Sequence, residues 1–327
     1  MVGTELLCAF LVNFRYAEAT KLTGIFKKLI RQNKIEQEIH VSSDRDNPTV
    51  PVHPPLKDIQ LELKKQIGSG FPSLLVGNCQ SVGMVREHNE DSLFSLATIM
   101  SSNGKNLPLG LFIIADGMGG HTMGEAASRL AVQTVSTNIL EKLIIPTFGA
   151  HFVPEEIDIE DLLRISLEKA HQAIASEAPG SGTTITTALM IEESIYLAHV
   201  GDSRAYWISP DGTVKQHTRD HSFVMRMIEL GQITAEQAEN HPQRNILYQA
   251  LGQGEPLEAD IHTIPKPVSG YLLVCSDGLW GVVPQETLTQ LALTSPDPQT
   301  ACEKMVDAAN DAGGPDNISA ILVRIPD

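Results

Sequence analysis

The sequence predicts an α+β fold: two packed antiparallel sheets with helices on the outside. Three observations carry that prediction. Short apolar runs come in pairs separated by turn residues, as hairpins do. Thr183–Ile191 and Ser194–Val200 meet at Glu192-Glu193, and Arg204–Ile208 and Thr213–His217 meet at Ser209-Pro210-Asp211-Gly212. Helical stretches also come in pairs, so the βαβ alternation of a parallel sheet is missing. With 327 residues, 42% of them hydrophobic, the chain can bury a core of this size.

The regular pattern begins at Leu74. Ser73–Gly83 and Leu93–Leu96 predict strands, with Arg86–Asp91 between them. Asn103-Gly104 predicts a turn and Leu109–Ala115 the next strand. A helix is expected over Glu125–Leu143, because Val132, Val135, Ile139 and Leu143 form one apolar stripe. Ile144–Ile157 carries two prolines and two aromatics and predicts a long connection. Asp158 is placed to cap a second helix, whose stripe is Leu163, Leu167, Ala170 and Ile174. After the two hairpins, Phe223–Leu230 and Ala235–Glu239 predict short helices, the second opened by a capping box from Thr234 to Gln237. Ile261–Ile264 and Tyr271–Ser276 predict strands, Thr287–Leu293 and Gln299–Ala312 helices, and Ile318–Val323 a final strand.

Residues 1–72 read differently from residues 73–327, and the chain divides there into an extension and a domain. Leu22, Ile25, Phe26, Leu29 and Ile30 give Ala17–Ile39 helical spacing, and Lys21, Lys27, Lys28, Arg31 and Lys34 make it basic. It reads either as a docking helix for a partner or a membrane surface, or as an ordinary extension. Ser42–Pro55 is rich in proline and polar residues, as linkers are, and Leu56–Ile67 predicts one more short helix.

The net charge of −16 disfavours nucleic acid and anionic lipid as partners, and anionic substrates too unless metal ions neutralise the site. Cys8, Cys79, Cys275 and Cys302 are far apart and form no CxxC pair, which suits reduced thiols in a cytoplasmic protein. No stretch is long and apolar enough for an integral membrane segment. Leu6–Val12 is apolar but follows no basic residue, so a secretory leader is not expected.

The chemistry gathers where strands end. Leu111–Ile114 is an apolar run that delivers Asp116-Gly117. Tyr271–Ser276 delivers Asp277-Gly278, and Ile195–Val200 delivers Gly201-Asp202. Asp316 precedes the last strand, and Glu90 and Asp91 open another. One Asp-Gly pair is usually just a turn. Several carboxylates at strand ends are harder to explain by folding alone, because buried charge needs a partner, and a divalent cation is the natural one.

These segments resemble the metal-dependent serine/threonine protein phosphatases of the PPM, or type 2C, family in its bacterial form. The matching motifs are VREHNEDS at 85–92, IIADGMGGH at 113–121, SGTTIT at 181–186, HVGDSRAY at 199–206, CSDGLW at 275–280 and GGPDNIS at 313–319. They occur in the family's order, and the resemblance spans Val76–Ile325; residues 1–72 have no counterpart in it.

The resemblance implies a four-layer αββα sandwich with two manganese or magnesium ions at one end. It implies that Asp116 bridges both ions, that the Gly117 carbonyl binds one, and that Asp277 and Asp316 complete the other. Glu90 and Asp91 are expected to act mainly through coordinated waters, and Asp202 with Asp277 matches a third-metal site of bacterial members. Arg86 matches the arginine that holds the substrate phosphate. The implied reaction is hydrolysis of phosphoserine or phosphothreonine in proteins by in-line attack of a metal-bridging hydroxide. All the ligands are oxygens, which suits magnesium or manganese rather than zinc. Met118 stands where some members carry a histidine acid, so His121, a metal-bound water and bulk water remain open as proton donors. Phe223–Asn245 corresponds to the family's variable flap. A Ser/Thr kinase is the implied counterpart in the cell. Two other readings stand beside this one: a catalytically weak PPM-fold regulatory or binding module, and a metal phosphodiesterase or nuclease.

Overall fold

The structure, a computed structural model, describes residues 74–102, 105–119, 122–150, 157–239, 241–254 and 256–326. The basic helix, the linker and the helix expected before residue 68 lie outside the described residues, as do the Asn103-Gly104 turn and His121.

Eleven strands build two antiparallel sheets among the described residues. The first sheet holds β1 (Leu75–Ser81), β11 (Ile318–Ile325), β10 (Gly270–Cys275), β7 (Arg204–Ile208) and β8 (Val214–Gln216), in that order. The second runs β2 (Asp91–Ser102), β3 (Lys105–Met118), β5 (Ile185–Ile191), β6 (Ser194–Val200) and β9 (Asp260–Pro265), with the two-residue β4 (Gly182–Thr183) paired to the end of β3. The expected hairpins are all present. Glu192, in the β5–β6 turn, is the single described non-glycine residue with positive φ.

Three apolar layers hold the fold together. Phe112, Ile114, Ala188, Leu272, Val274, Ile321 and Val323 fill the space between the sheets. The opposite face of β3 and β5, with Leu111, Ile113 and Leu189, packs on α1 (Thr122–Ile139) and α3 (Ile159–Glu177) through the stripes read from sequence: Val132, Val135 and Ile139 on one helix, Leu163, Leu167, Ala170 and Ile174 on the other. The outer face of the first sheet, with Leu273 and Leu322, packs on α7 (Gln285–Thr294) and α8 (Pro298–Asp311) through Leu288, Met305 and Ala309. Helix, sheet, sheet, helix is therefore the layer order. Because β5 is covered on both faces, all seven of its residues are buried, Thr186 and Thr187 among them.

Asp158 caps α3 as expected, accepting from the Asp161 N–H at 3.1 Å. Thr234 and Gln237 close the capping box at the start of α5 (Ala235–Glu239), with bonds of 2.9 and 3.3 Å. The expected connection after residue 143 needs correcting at its start. Leu140–Ile144 is a π turn, and Ile145–Ala150 continues as α2. Pro146 has no N–H to give the helix ladder, and the wider turn before it absorbs that loss, with the Ile145 N–H bonded to the Leu140 carbonyl. Strands β2 and β3 run longer than their apolar cores, because pairing carries them through polar residues at both ends.

Candidate metal centre

Antiparallel pairing brings the acids to one end of the sheets. β2 begins at Asp91, and Asp91 lies directly opposite Asp116 near the end of β3. β10 ends at Cys275, one residue before Ser276-Asp277, and β11 begins two residues after Asp316. Asp202 sits in the turn between β6 and β7. β1 ends at Ser81 opposite Ile318, which places the 82–90 loop over the same end. Two carboxylates directly opposed across a ladder repel, and a proton or a cation between them relieves that repulsion.

The resulting cleft, of ≈ 560 Å³, is lined by Arg86, Glu90, Asp116, Gly117, Asp202, Asp277 and Asp316 together with Asn245, Leu247 and Thr184. Arg86 is the one lysine or arginine among these described lining residues. Its Nη2 donates to Asp316 Oδ2 at 2.8 Å. A guanidinium has further N–H groups to offer an anion.

Asp91 lies behind the cleft wall, 6% exposed. Its Oδ2 accepts from Ser276 Oγ at 2.9 Å and Ser319 Oγ at 2.6 Å, while Oδ1 is buried with no partner. Asp277 Oδ1 is buried and unpartnered in the same way. Burial first, then the neighbouring Asp277 and Asp316, push the Asp91 carboxyl up to about 7 against the two serine bonds. Asp116 is pushed well above the usual carboxylate range by desolvation and then by Asp91 and Asp277. Asp202, 8% exposed, rises to about 8 through burial and then repulsion from Asp277 and Asp220. Asp277 rises through burial and repulsion from Asp316. Desolvated acids that raise one another and leave oxygens unpaired have the chemistry that suits a cation. Among the described residues no three His, Cys, Asp or Glu side chains close on one point tightly enough to ligate an ion unaided. An ion here takes part of its coordination from water or backbone oxygen, as magnesium ordinarily does.

The backbone around the acids is held by residues the sequence reading did not single out. Thr184 Oγ1 accepts from the Asp116 N–H at 3.0 Å, and the Asp116 carbonyl accepts from Thr183 Oγ1 and the Thr184 N–H, each at 2.8 Å. Asn317 Oδ1 accepts from the Glu90 N–H at 2.8 Å, and its Nδ2 donates to the Val82 and His88 carbonyls. Trp280 Nε1 donates to the Asp202 carbonyl at 3.0 Å, and the Arg204 guanidinium lies 3.4 Å over the Trp280 ring while Asp220 grips it with both carboxylate oxygens. The available signal was adjacency: Thr183, Thr184, Ser276, Trp280, Asn317 and Ser319 all stand inside the six motifs.

His221, in the loop just ahead of the flap, is buried. Its Nδ1 accepts from the Gly201 N–H at 3.3 Å, and its Nε2 faces Asp260 at 3.2 Å. It ties the base of the flap to the turn that carries Asp202. His121 lies outside the described residues, so the proton donor stays as open as the sequence left it.

The glycines of the two Asp-Gly pairs at the cleft, Gly117 and Gly278, are not turn residues in the left-handed region. Both are demanded by close approach. A Cβ on Gly117 would stand 2.2 Å from the Gly124 carbonyl oxygen at the start of α1, and one on Gly278 would stand 2.0 Å from the Asn317 carbonyl oxygen.

An αββα sandwich with a carboxylate cleft and one arginine at its rim defines the class of metal-assisted phosphoester hydrolases. The chain belongs to the protein phosphatase 2C family, whose profile matches residues 77–226. It is 35% identical over 248 residues to the serine/threonine phosphatase stp of Listeria monocytogenes, covering 74% of this chain and 92% of that one. It is 35% identical over 221 residues to the protein phosphatase PhpP of Streptococcus pneumoniae, covering 66% and 85%. The crystal structure of the Mycobacterium tuberculosis serine/threonine phosphatase PstP/Ppp superposes with a TM-score of 0.66 at 29% identity, covering 78% of this chain and all of that one. The catalytic domain of PstP in complex with two manganese ions superposes with a TM-score of 0.64 at 28% identity, covering 78% and 99%.

Proposed function

We propose that this chain is a metal-dependent protein serine/threonine phosphatase, and that Asp116, Asp277, Asp316, Glu90, Asp91 and the Gly117 carbonyl form its main cation site. The observation that carries the reading is the convergence of Asp116, Asp202, Asp277 and Asp316 from separate strand ends on one cleft with Asp91 behind its wall, Asp91 and Asp277 each keeping a buried, unpaired oxygen. Manganese or magnesium, when bound, supplies Lewis acidity to the water and the phosphoryl group and offsets the negative charge of site and substrate. Two ions are assigned to the main site, in line with the manganese-bound relative, and a third to Asp202 with Asp277.

The chain's own residues do the rest. Arg86 grips the phosphate with its planar fork and trades part of its contact with Asp316 for it. Ser276 and Ser319 hold Asp91 to one orientation, so that its second oxygen points away from them. No side chain serves as nucleophile. Burial pushes the Cys275 and Cys302 thiols up to about 12, which leaves them protonated and inert. His121, a metal-bound water and bulk water are the candidate proton donors.

The same reading divides the chain into an extension over residues 1–72 and a phosphatase domain over 73–327. Its support is the compact unit Gly70–Asp327 and the span of the relatives' matches. Phosphorylated proteins are the substrates and a Ser/Thr kinase the counterpart. No helix among the described residues is long and apolar enough to cross a membrane, and a cytoplasmic location suits the thiols.

The test is hydrolysis of p-nitrophenyl phosphate and of a phosphothreonine peptide, with manganese and with excess EDTA. Turnover should need the metal. Asp116→Asn and Asp277→Asn should each lose at least about a hundredfold in kcat, and Arg86→Ala should act mainly on KM. Turnover in EDTA would overturn the metal dependence, absence of turnover with manganese would turn the assignment toward the binding module, and preference for bis-p-nitrophenyl phosphate would turn it toward the phosphodiesterase.

A further inference from the structure

Two apolar lips rise at the mouth of the anionic cleft, and no step of the hydrolysis uses them. Met84 and Val85 are 69% and 68% exposed. They are consecutive, and they immediately precede Arg86. Val85 itself lines the cleft. Their turn is held to the core rather than left loose. The Met84 N–H donates to the Gly314 carbonyl at 2.7 Å, and Gly314 belongs to the loop that presents Asp316. The second lip comes from the segment after α5. Leu247 lines the cleft beside Asn245, and Ile246 and Phe223 are exposed next to it. This lip too is tied down, by the Phe223 N–H bond to the Ile246 carbonyl at 2.7 Å and by the bridge between Ser222 and Leu247.

Single exposed apolar side chains are ordinary. Large ones that adjoin, on backbone pinned by hydrogen bonds, at the entrance to a charged site, are a surface shaped to be covered. Their occupant is set by position. A phosphoryl group held by Arg86 brings the residues on either side of the phosphorylated serine or threonine over this rim, because neighbouring Cα atoms are about 3.8 Å apart along an extended chain.

Resting on the phosphatase reading, we propose that Met84–Val85 and Ile246–Leu247 form apolar subsites for the residues flanking the phosphorylated side chain, so that the protein selects phosphosites with apolar neighbours. The lips bury apolar surface of the substrate polypeptide that a small phosphoester does not possess. Selection therefore shows in kcat/KM on peptides.

The experiment uses the full chain with manganese and two phosphothreonine peptides that differ only at the flanking positions, leucine on both sides or glutamine on both sides. Both peptides carry the same charge, so the cleft's electrostatics cancel in the ratio. The leucine peptide should be favoured about tenfold in kcat/KM, the scale of one or two apolar groups entering a partly exposed pocket. The double variant Met84→Gln/Val85→Thr should bring that ratio down to about threefold or less, and Ile246→Gln should reduce it separately. A ratio near one for the unaltered protein, or an unchanged ratio in both variants, overturns the subsites. Turnover of neither peptide by the unaltered protein would instead overturn the phosphatase reading. If a variant is poorly folded, both peptides suffer together and the other variant decides.

Discussion

On the proposed function, Asp91 is a single side chain prepared for an ion. Two serine hydroxyls fix one oxygen, and the other is left bare in the protein interior. Its folded carboxyl, at about 7, and that of Asp202, at about 8, lie above the 3.8 of an ordinary aspartate. Between these limits the folded, metal-free protein holds more protons than the unfolded chain, so these groups lose stability for it as pH rises from about 4 to about 8. A cation must displace those protons. Apparent manganese affinity should therefore climb with pH through about 7 to 8 and level off above, with protons released on binding. Calorimetry in buffers of different ionisation enthalpy reads both quantities. Affinity that is flat from pH 6 to pH 8, with no proton release, would contradict this account.

At the scale of elements, the link between the β6–β7 turn and the one-turn helix Asp277–Trp280 (α6) matters most. Trp280 donates to the Asp202 carbonyl from four positions along the turn that starts with Asp277, so one residue sets the spacing of the two acids. Arg204, on β7 and held by Asp220 at the base of the flap, lies over the indole. Trp280→Phe keeps a six-membered aromatic ring and removes the N–H together with the rest of the pyrrole ring. It should cost about 2 kcal/mol of stability and raise the manganese concentration for half-maximal activity about three- to tenfold. Thermal melts with and without manganese, beside a metal titration, separate the two effects. An unaltered titration would confine Trp280 to packing.

For the whole molecule, the three apolar layers and every site residue described lie within Gly70–Asp327. A protein starting at Gly70 should fold cooperatively and retain the metal-dependent turnover of p-nitrophenyl phosphate within about twofold, because it keeps all three described apolar layers and every described site residue. Circular dichroism melts and the same assay check this. Loss of either would assign residues 1–69 a part in the domain.

Much of this was legible from residue order. Period-two and helical patterning, hairpin turns and the Asp158 cap are local physics, and they identified the α+β class, most element positions and the acids at strand ends. Motif order supplied the family, and with it the proposed site residues Asp116, Asp202, Asp277, Asp316, Glu90 and Arg86. Other features needed the folded chain, because they depend on residues far apart in sequence. Strand pairing alone sets Asp91 against Asp116. Packing of one sheet on the other brings Ser319 to Asp91 across 228 positions, and the same packing of distant elements brings Trp280 to Asp202 across 78. The two Asp-Gly pairs at the cleft look like turns in sequence, yet their glycines answer to a carbonyl oxygen arriving from another element. The π turn before Pro146 is likewise a compromise between a proline that interrupts the ladder and buried Leu143 and Ile144 that keep the helix packed. Patterning is written in neighbours along the chain. Desolvation, repulsion and the unpaired oxygens of a metal site arise only when folding makes distant residues neighbours in space.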